Sequence, residues 1–225
     1  MSDTVLPAGP LQAVVLQWSS PNHDPADALS RGVCATRVSP LALLDFAIPR
    51  APAPTAHLRL GARIGRGRIY DTYAAQGVVV KLHRWTPRTA HEVAREAWVY
   101  EHRLGGGVAP AWHGVFATHA VWGGAGARLV AAVMGDGGRP HGGMGVVQGY
   151  RRLHGLGVVH RSPGLKHWLW DGEGVRLIDF GRAVVRDAPD VPRGWGVGRR
   201  EFARLAKEEM GRVRELLYAR EYWSD

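Results

Sequence analysis

At 225 residues, 45% of them hydrophobic and 22% charged, the chain has the composition of a globular protein, with length for one domain and a real core. Its single cysteine, Cys34, excludes an internal disulfide and a cysteine-rich zinc motif, and no run of ~18 apolar residues is present to span a bilayer. The formal net charge of +9 favours phosphate-rich or acidic partners; because the arginines are scattered and form no basic run, nucleic acid is not the expected one.

Residues 1–57 read as a proline-rich, partly irregular N-terminal extension, punctuated by Pro7, Pro10, Pro21, Pro25, Pro40, Pro49, Pro52 and Pro54. Candidate strands lie at 11–18 and 33–38, and 48–55 (IPRAPAPT) reads as a stiff linker. From Leu58 the pattern becomes regular. Strands are predicted at 58–64, 69–75 and 78–83, with turns carrying Gly65, Gly67 and Gly77. A helix follows at 89–104, with Val93, Ala97, Tyr100 and Leu104 on one apolar stripe; the glycines at 105–107 stop it. Strands at 111–118 and 128–134 complete a block of residues 58–134. In the remainder, 135–225, a loop at 135–143 precedes a helix at 144–154. A hairpin of two short strands follows at 168–170 and 175–178, in which Trp168 and Trp170 alternate, so that at least one belongs to the core. A last helix at 199–220 has Phe202, Leu205, Val213, Leu216 and Leu217 as its apolar side. This order predicts an α+β chain in two lobes.

Chemistry concentrates in four segments. Ile64-Gly65-Arg66-Gly67-Arg68-Ile69-Tyr70 joins two strands, and its glycines let backbone N–H groups approach phosphate oxygens with no Cβ in the way; taken alone it is equally an ordinary hairpin turn. Val78-Val79-Val80-Lys81-Leu82 places a lysine in an apolar strand, where burial demands a partner. Glu96, near the helix stripe, is the candidate, the alternative being a surface lysine and a solvated glutamate. Val175-Arg176-Leu177-Ile178-Asp179-Phe180-Gly181 ends an apolar strand in a carboxylate suited to a hard cation. Between these lies Leu153-His154-Gly155-Leu156-Gly157-Val158-Val159-His160-Arg161-Ser162-Pro163-Gly164-Leu165-Lys166-His167. Its histidines recur at regular intervals, but no further zinc ligand accompanies them.

Over residues 58–185 these segments, in this order, resemble the protein kinase superfamily. The resemblance implies a protein-kinase-like two-lobe fold: a five-stranded antiparallel N-lobe sheet with one helix, and a reduced, mainly helical C-lobe. It implies ATP as ligand, with Gly65 and Gly67 over the phosphates, Lys81 on them, Glu96 tethering Lys81, and Asp179 on Mg²⁺. His160 and Arg161 match the His-Arg of the catalytic loop. Tyr70 stands where the pattern has its third glycine, Ser162 where it has the catalytic aspartate, and His167 where it has the metal-binding asparagine. No Ala-Pro-Glu follows Asp-Phe-Gly.

A serine is a very poor base near neutral pH, and loss of a general base costs about 10²–10⁴-fold in rate. Mg²⁺ prefers oxygen to imidazole. The expectation is therefore a pseudokinase-like, ATP-binding protein of the cytoplasm or nucleus, with weak or absent phosphotransfer and weak metal dependence. Two other readings stay open: an active atypical protein or small-molecule kinase with a relocated base, and an interaction module that engages a protein partner and no nucleotide.

Overall fold

The computed structural model describes residues 10–18, 29, 32–49, 53–54, 56–105, 107–122, 127–141, 143 and 145–222. The chain divides into two compact units, one of residues up to 97 together with 112–136, the other of 98–111 together with 137 onward.

Period-two burial builds the first unit. Its strands are β1 (Ala13–Trp18), β2 (Val33–Arg37), β3 (Ala56–Leu60), β4 (Arg63–Arg66), β5 (Tyr70–Ala75), β6 (Val78–Trp85), β7 (Trp112–Trp122) and β8 (Ala127–Gly135), with a short helix α1 (Ala42–Asp45) after β2. They form one eight-stranded sheet in the order β3-β1-β2-β7-β8-β6-β5-β4. Neighbours are antiparallel except β1 and β3, which run parallel. Alternate residues turn to one side and make a single core, including Val14, Leu16, Leu58, Leu60, Val80, Leu82, Phe116 and Val133. The sheet curls into a half-barrel: just past β3, Gly61 N–H donates to Ala74 O of β5 (2.8 Å), and Ala74 N–H to Ala62 O (3.2 Å). The turn between β5 and β6 is Gln76-Gly77, both at positive φ (34° and 77°), as a tight hairpin turn requires.

Helix α2 (Pro87–His102) begins in the first unit and ends in the second. Thr86 accepts the Thr89 N–H through its hydroxyl (3.3 Å), and Pro87 occupies the first helical position, where a missing N–H costs nothing. The helix therefore starts before the predicted Thr89.

The second unit contains α3 (Val146–Gly155), α4 (Arg199–Tyr222) and a 3₁₀ turn (Leu165–His167). Its strands are β9 (Arg139–Pro140), β10 (Val158–Val159), β11 (Trp168–Trp170), β12 (Val175–Leu177), β13 (Val184–Arg186) and β14 (Gly196–Val197), in two sheets ordered β10-β13-β14 and β12-β11-β9. Val159, Val184, Phe202 and Leu205 cluster under α4. Trp168 is fully buried and Trp170 exposed, as the alternation predicts. Among the described residues no helix is long and apolar enough to cross a membrane.

The predicted fold class is corrected here. The sheet has eight strands and one parallel pair, where five antiparallel strands were expected, and the second unit carries two small sheets, so it is not mainly helical. Two physical reasons account for the difference. β1 and β2 come from the proline-rich segment, and β2 pairs onto β7 while β1 covers β3, whose Ala56, Leu58 and Leu60 face the core. The strand predicted at 58–64 is also two strands: the chain bends at Gly61, so its first half pairs with β1 and its second with β5. Part of the predicted linker at 48–55, and Met144 of the predicted second helix, lie outside the described residues.

Candidate functional site

In β6, Val78, Val80 and Leu82 fill the half-barrel core, so Lys81 and His83 must point to the opposite face. Lys81 is nonetheless buried. Its Nζ lies 2.6 Å from Glu96 Oε1, with side-chain exposures of 8% and 1%. The ring of Tyr70 sits 5.2 Å from the ammonium. An ammonium has three N–H donors. Glu96 takes one, and among the described residues no other hydrogen-bond acceptor meets Lys81; the second carboxylate oxygen, Glu96 Oε2, is buried without a partner. Gly65 lies in the same row across the sheet: Thr72 pairs with Gly65 on one side and with Lys81 on the other, which sets them roughly 10 Å apart, two interstrand spacings.

Three polar ties join one stripe of α2 to this face. Thr89 Oγ1 meets His83 Nε2 (2.8 Å), Glu92 pairs with Arg68 at the hairpin tip, and Glu96 holds Lys81. Positions 89, 92 and 96 recur at helical spacing, which is why one helix reaches all three. His83 Nδ1–H donates to Ile69 O (2.8 Å).

Gly65 and Gly67 have ordinary negative-side φ, and a Cβ built on either meets its nearest neighbour at 3.5 and 3.4 Å, ordinary contact. Nothing in the hairpin's own packing demands glycine at either position.

The second unit carries the other predicted residues. Ser162 works through its backbone: its N–H donates to His160 Nδ1 (3.2 Å) and its carbonyl accepts from His167 Nδ1 (2.8 Å). His167 Nε2 lies 3.0 Å from Asp179 Oδ2. His160 Nε2–H donates to Ile178 O (2.8 Å), and Phe180 is buried against His160 and Tyr100 at 4.9 and 5.3 Å between ring centroids. Arg161 and Asp179 both hold positive φ (63° and 71°), a conformation that an arginine keeps only when its surroundings impose it. Lys166 is exposed.

What imposes it is Glu209, a residue the sequence reading did not select. Its buried carboxylate accepts from the backbone N–H of His160 (3.1 Å) and of Arg161, and meets His154 Nε2 (2.9 Å). His83, Thr89, Arg68 and Glu92 were likewise not selected.

Two buried histidines give the fold a pH dependence. Burial pushes both His83 and His160 below the ordinary value of 6.5, since a charged ring would lose its hydration. Both are bonded as neutral rings, one nitrogen donating to a carbonyl and the other accepting. The unfolded chain takes up protons near 6.5 and the folded chain only at lower pH, so between these limits the unfolded state binds more protons. Stability is therefore full above 6.5, falls as pH drops below it, and levels off once pH has passed the lowered folded values. The slope reaches about 1.4 kcal/mol per pH unit for each histidine. Urea unfolding at pH 7.5 and 5.5 is expected to show lower stability at the acid end; equal stabilities would contradict the neutral assignment.

The resemblance implies Mg²⁺ at Asp179. Both ring nitrogens of His167 are engaged within the chain, Nδ1 at the Ser162 carbonyl and Nε2 at Asp179 Oδ2. Asp179 remains a single, half-exposed carboxylate, and among the described residues no group of three or more His, Cys, Asp or Glu side chains could hold a metal ion. Mg²⁺ is usually held by one or two protein carboxylates with phosphate and water oxygens completing its shell, and Asp179 is the carboxylate this pair would offer. No protein-family model matches the chain, and no curated protein matches it.

Proposed function

We propose that this protein binds ATP by its phosphates at Lys81, with Glu96 as tether and the Gly65–Gly67 hairpin above, and that it transfers phosphate weakly or not at all. The observation that carries the reading is the buried ammonium with one donor spent on Glu96 and two unspent. An ammonium carries three donors and Glu96 takes one, so the remaining two suit an anion. An apolar pair of similar volume would serve the fold as well or better, which argues that the charges are kept for use. The hairpin glycines, unneeded by their own packing, put no Cβ between the hairpin backbone and a phosphate.

Weak transfer follows from Ser162. It stands at the base position of the kinase resemblance, and no other group in that loop offers a carboxylate. Weak metal dependence follows from the His167–Asp179 contact, which engages the carboxylate that would otherwise face the cation.

A thermal-shift titration of the full chain tests the reading. ATP at ~100 times its Kd adds about 2.7 kcal/mol, a rise in Tm on the order of 5–10 °C for a chain of this size. The rise is expected with EDTA present as well as with Mg²⁺. Gly65→Ala and Gly67→Ala are expected to keep the unliganded Tm within a degree or so while reducing the shift. No shift at millimolar ATP, with the protein folded, would end the proposal.

A further inference from the structure

We propose that His83 is a positioning residue that fastens the glycine hairpin to β6 and α2 and so sets the height of that hairpin over Lys81. The inference rests on the ATP-binding reading above and names a device within it. His83 is 3% exposed, and both ring nitrogens are spent: Nδ1–H on the carbonyl of Ile69, at the hairpin's return, and Nε2 on the hydroxyl of Thr89, in the first turn of α2. The Tyr70 ring packs edge-on against His83 at 5.7 Å and lies 5.2 Å from the Lys81 ammonium, so the same ring touches both. His83 thus connects three elements at the point where the hairpin re-enters the sheet, directly across from Tyr70 in the β5–β6 register. A second tie of the hairpin to α2, Arg68 with Glu92, lies at the surface and contributes little. A hairpin of largely exposed residues held by surface contacts would sample many heights; the buried histidine restricts that freedom.

A satisfied core histidine could also serve packing alone, and the two roles separate experimentally. His83→Leu keeps apolar volume and loses both hydrogen bonds. Thr89→Val loses the Nε2 contact, along with the hydroxyl's bonds to Thr86 Oγ1 and Thr86 O, and leaves the bond to Ile69 in place. His83→Gln can donate to Ile69 and accept from Thr89. Two readouts are used on the full chain: amide hydrogen exchange of residues 65–75 against the core of β6 and β8, and affinity for ATP against adenosine.

The expected result is faster exchange confined to the hairpin in His83→Leu and Thr89→Val, with ATP affinity at least tenfold weaker and adenosine affinity within twofold. His83→Gln should restore most of both. Uniformly faster exchange across β6 and β8, or equal losses for ATP and adenosine, would assign His83 to packing and overturn the inference, as would unchanged ATP affinity with a loosened hairpin. If the wild-type chain binds no ATP, the proposed function falls, while the exchange pattern still decides whether His83 fastens the hairpin.

Discussion

Removing either member of the Lys81–Glu96 pair is expected to destabilise the protein by about 3–5 kcal/mol, and removing both is expected to cost far less than either change alone. Glu96→Ala strands an ammonium beside the sheet, and Lys81→Met strands a carboxylate that is 1% exposed. Each single variant therefore loses more than a hydrogen bond: it leaves an unpaired charge that is largely shielded from water. In Lys81→Met/Glu96→Leu no charge remains to be stranded, and apolar replacement of a buried pair is commonly neutral or stabilising by about 1–4 kcal/mol. A double-mutant cycle from urea unfolding should thus give a coupling of several kcal/mol. Additive losses, each below about 1 kcal/mol, would mean the pair is solvated and would remove the argument for an anion at Lys81.

The second large effect is expected at Glu209. One carboxylate serves the backbone N–H groups of His160 and Arg161 and the ring of His154. Glu209→Ala leaves two backbone donors without their acceptor, at about 1–3 kcal/mol each, and removes one of the contacts that hold Arg161 at a φ of 63°. A total loss of about 3–5 kcal/mol is expected by denaturant unfolding, together with earlier proteolytic cleavage in residues 160–167. Glu209→Gln retains one acceptor oxygen and should lose roughly half as much. A loss under 1 kcal/mol in Glu209→Ala would show that the loop holds its own shape.

How far the sequence could be read depends on what each residue has to reveal. Lys81 was legible because a lysine in an apolar strand contradicts its surroundings, and the contradiction itself points to a partner. Glu96 was legible because the helix stripe of Val93, Ala97 and Tyr100 runs beside it. Glu209 left only a negative trace. The apolar side of α4 runs Phe202, Leu205 and Val213, with a gap where one turn of helix should supply another buried residue, and Glu209 fills that gap. Adjacent Glu208 is exposed and pairs with Arg204, so two neighbouring glutamates of identical composition have opposite fates. Only tertiary packing separates them.

The half-barrel was hidden for a related reason. Candidate strands at 11–18 and 33–38 were legible and β1 and β2 lie there, but the prolines made the segment look like an extension, and membership in the main sheet is a property of pairing over long separation in the chain. The bend at Gly61 splits an unbroken alternating run into two strands with different partners, and alternation alone cannot report a change of partner. His83 was read as an ordinary strand residue because both of its bonds go to groups whose positions depend on the hairpin and on the start of α2.

The central claim is that the Lys81 ammonium is a ligand for phosphate. Calorimetric titration of ATP into the wild-type chain and into Lys81→Met/Glu96→Leu, both shown to be folded, tests it most directly. Binding by the wild type with a loss of at least tenfold in affinity in the double variant is the predicted result; equal affinity in the two proteins would contradict it.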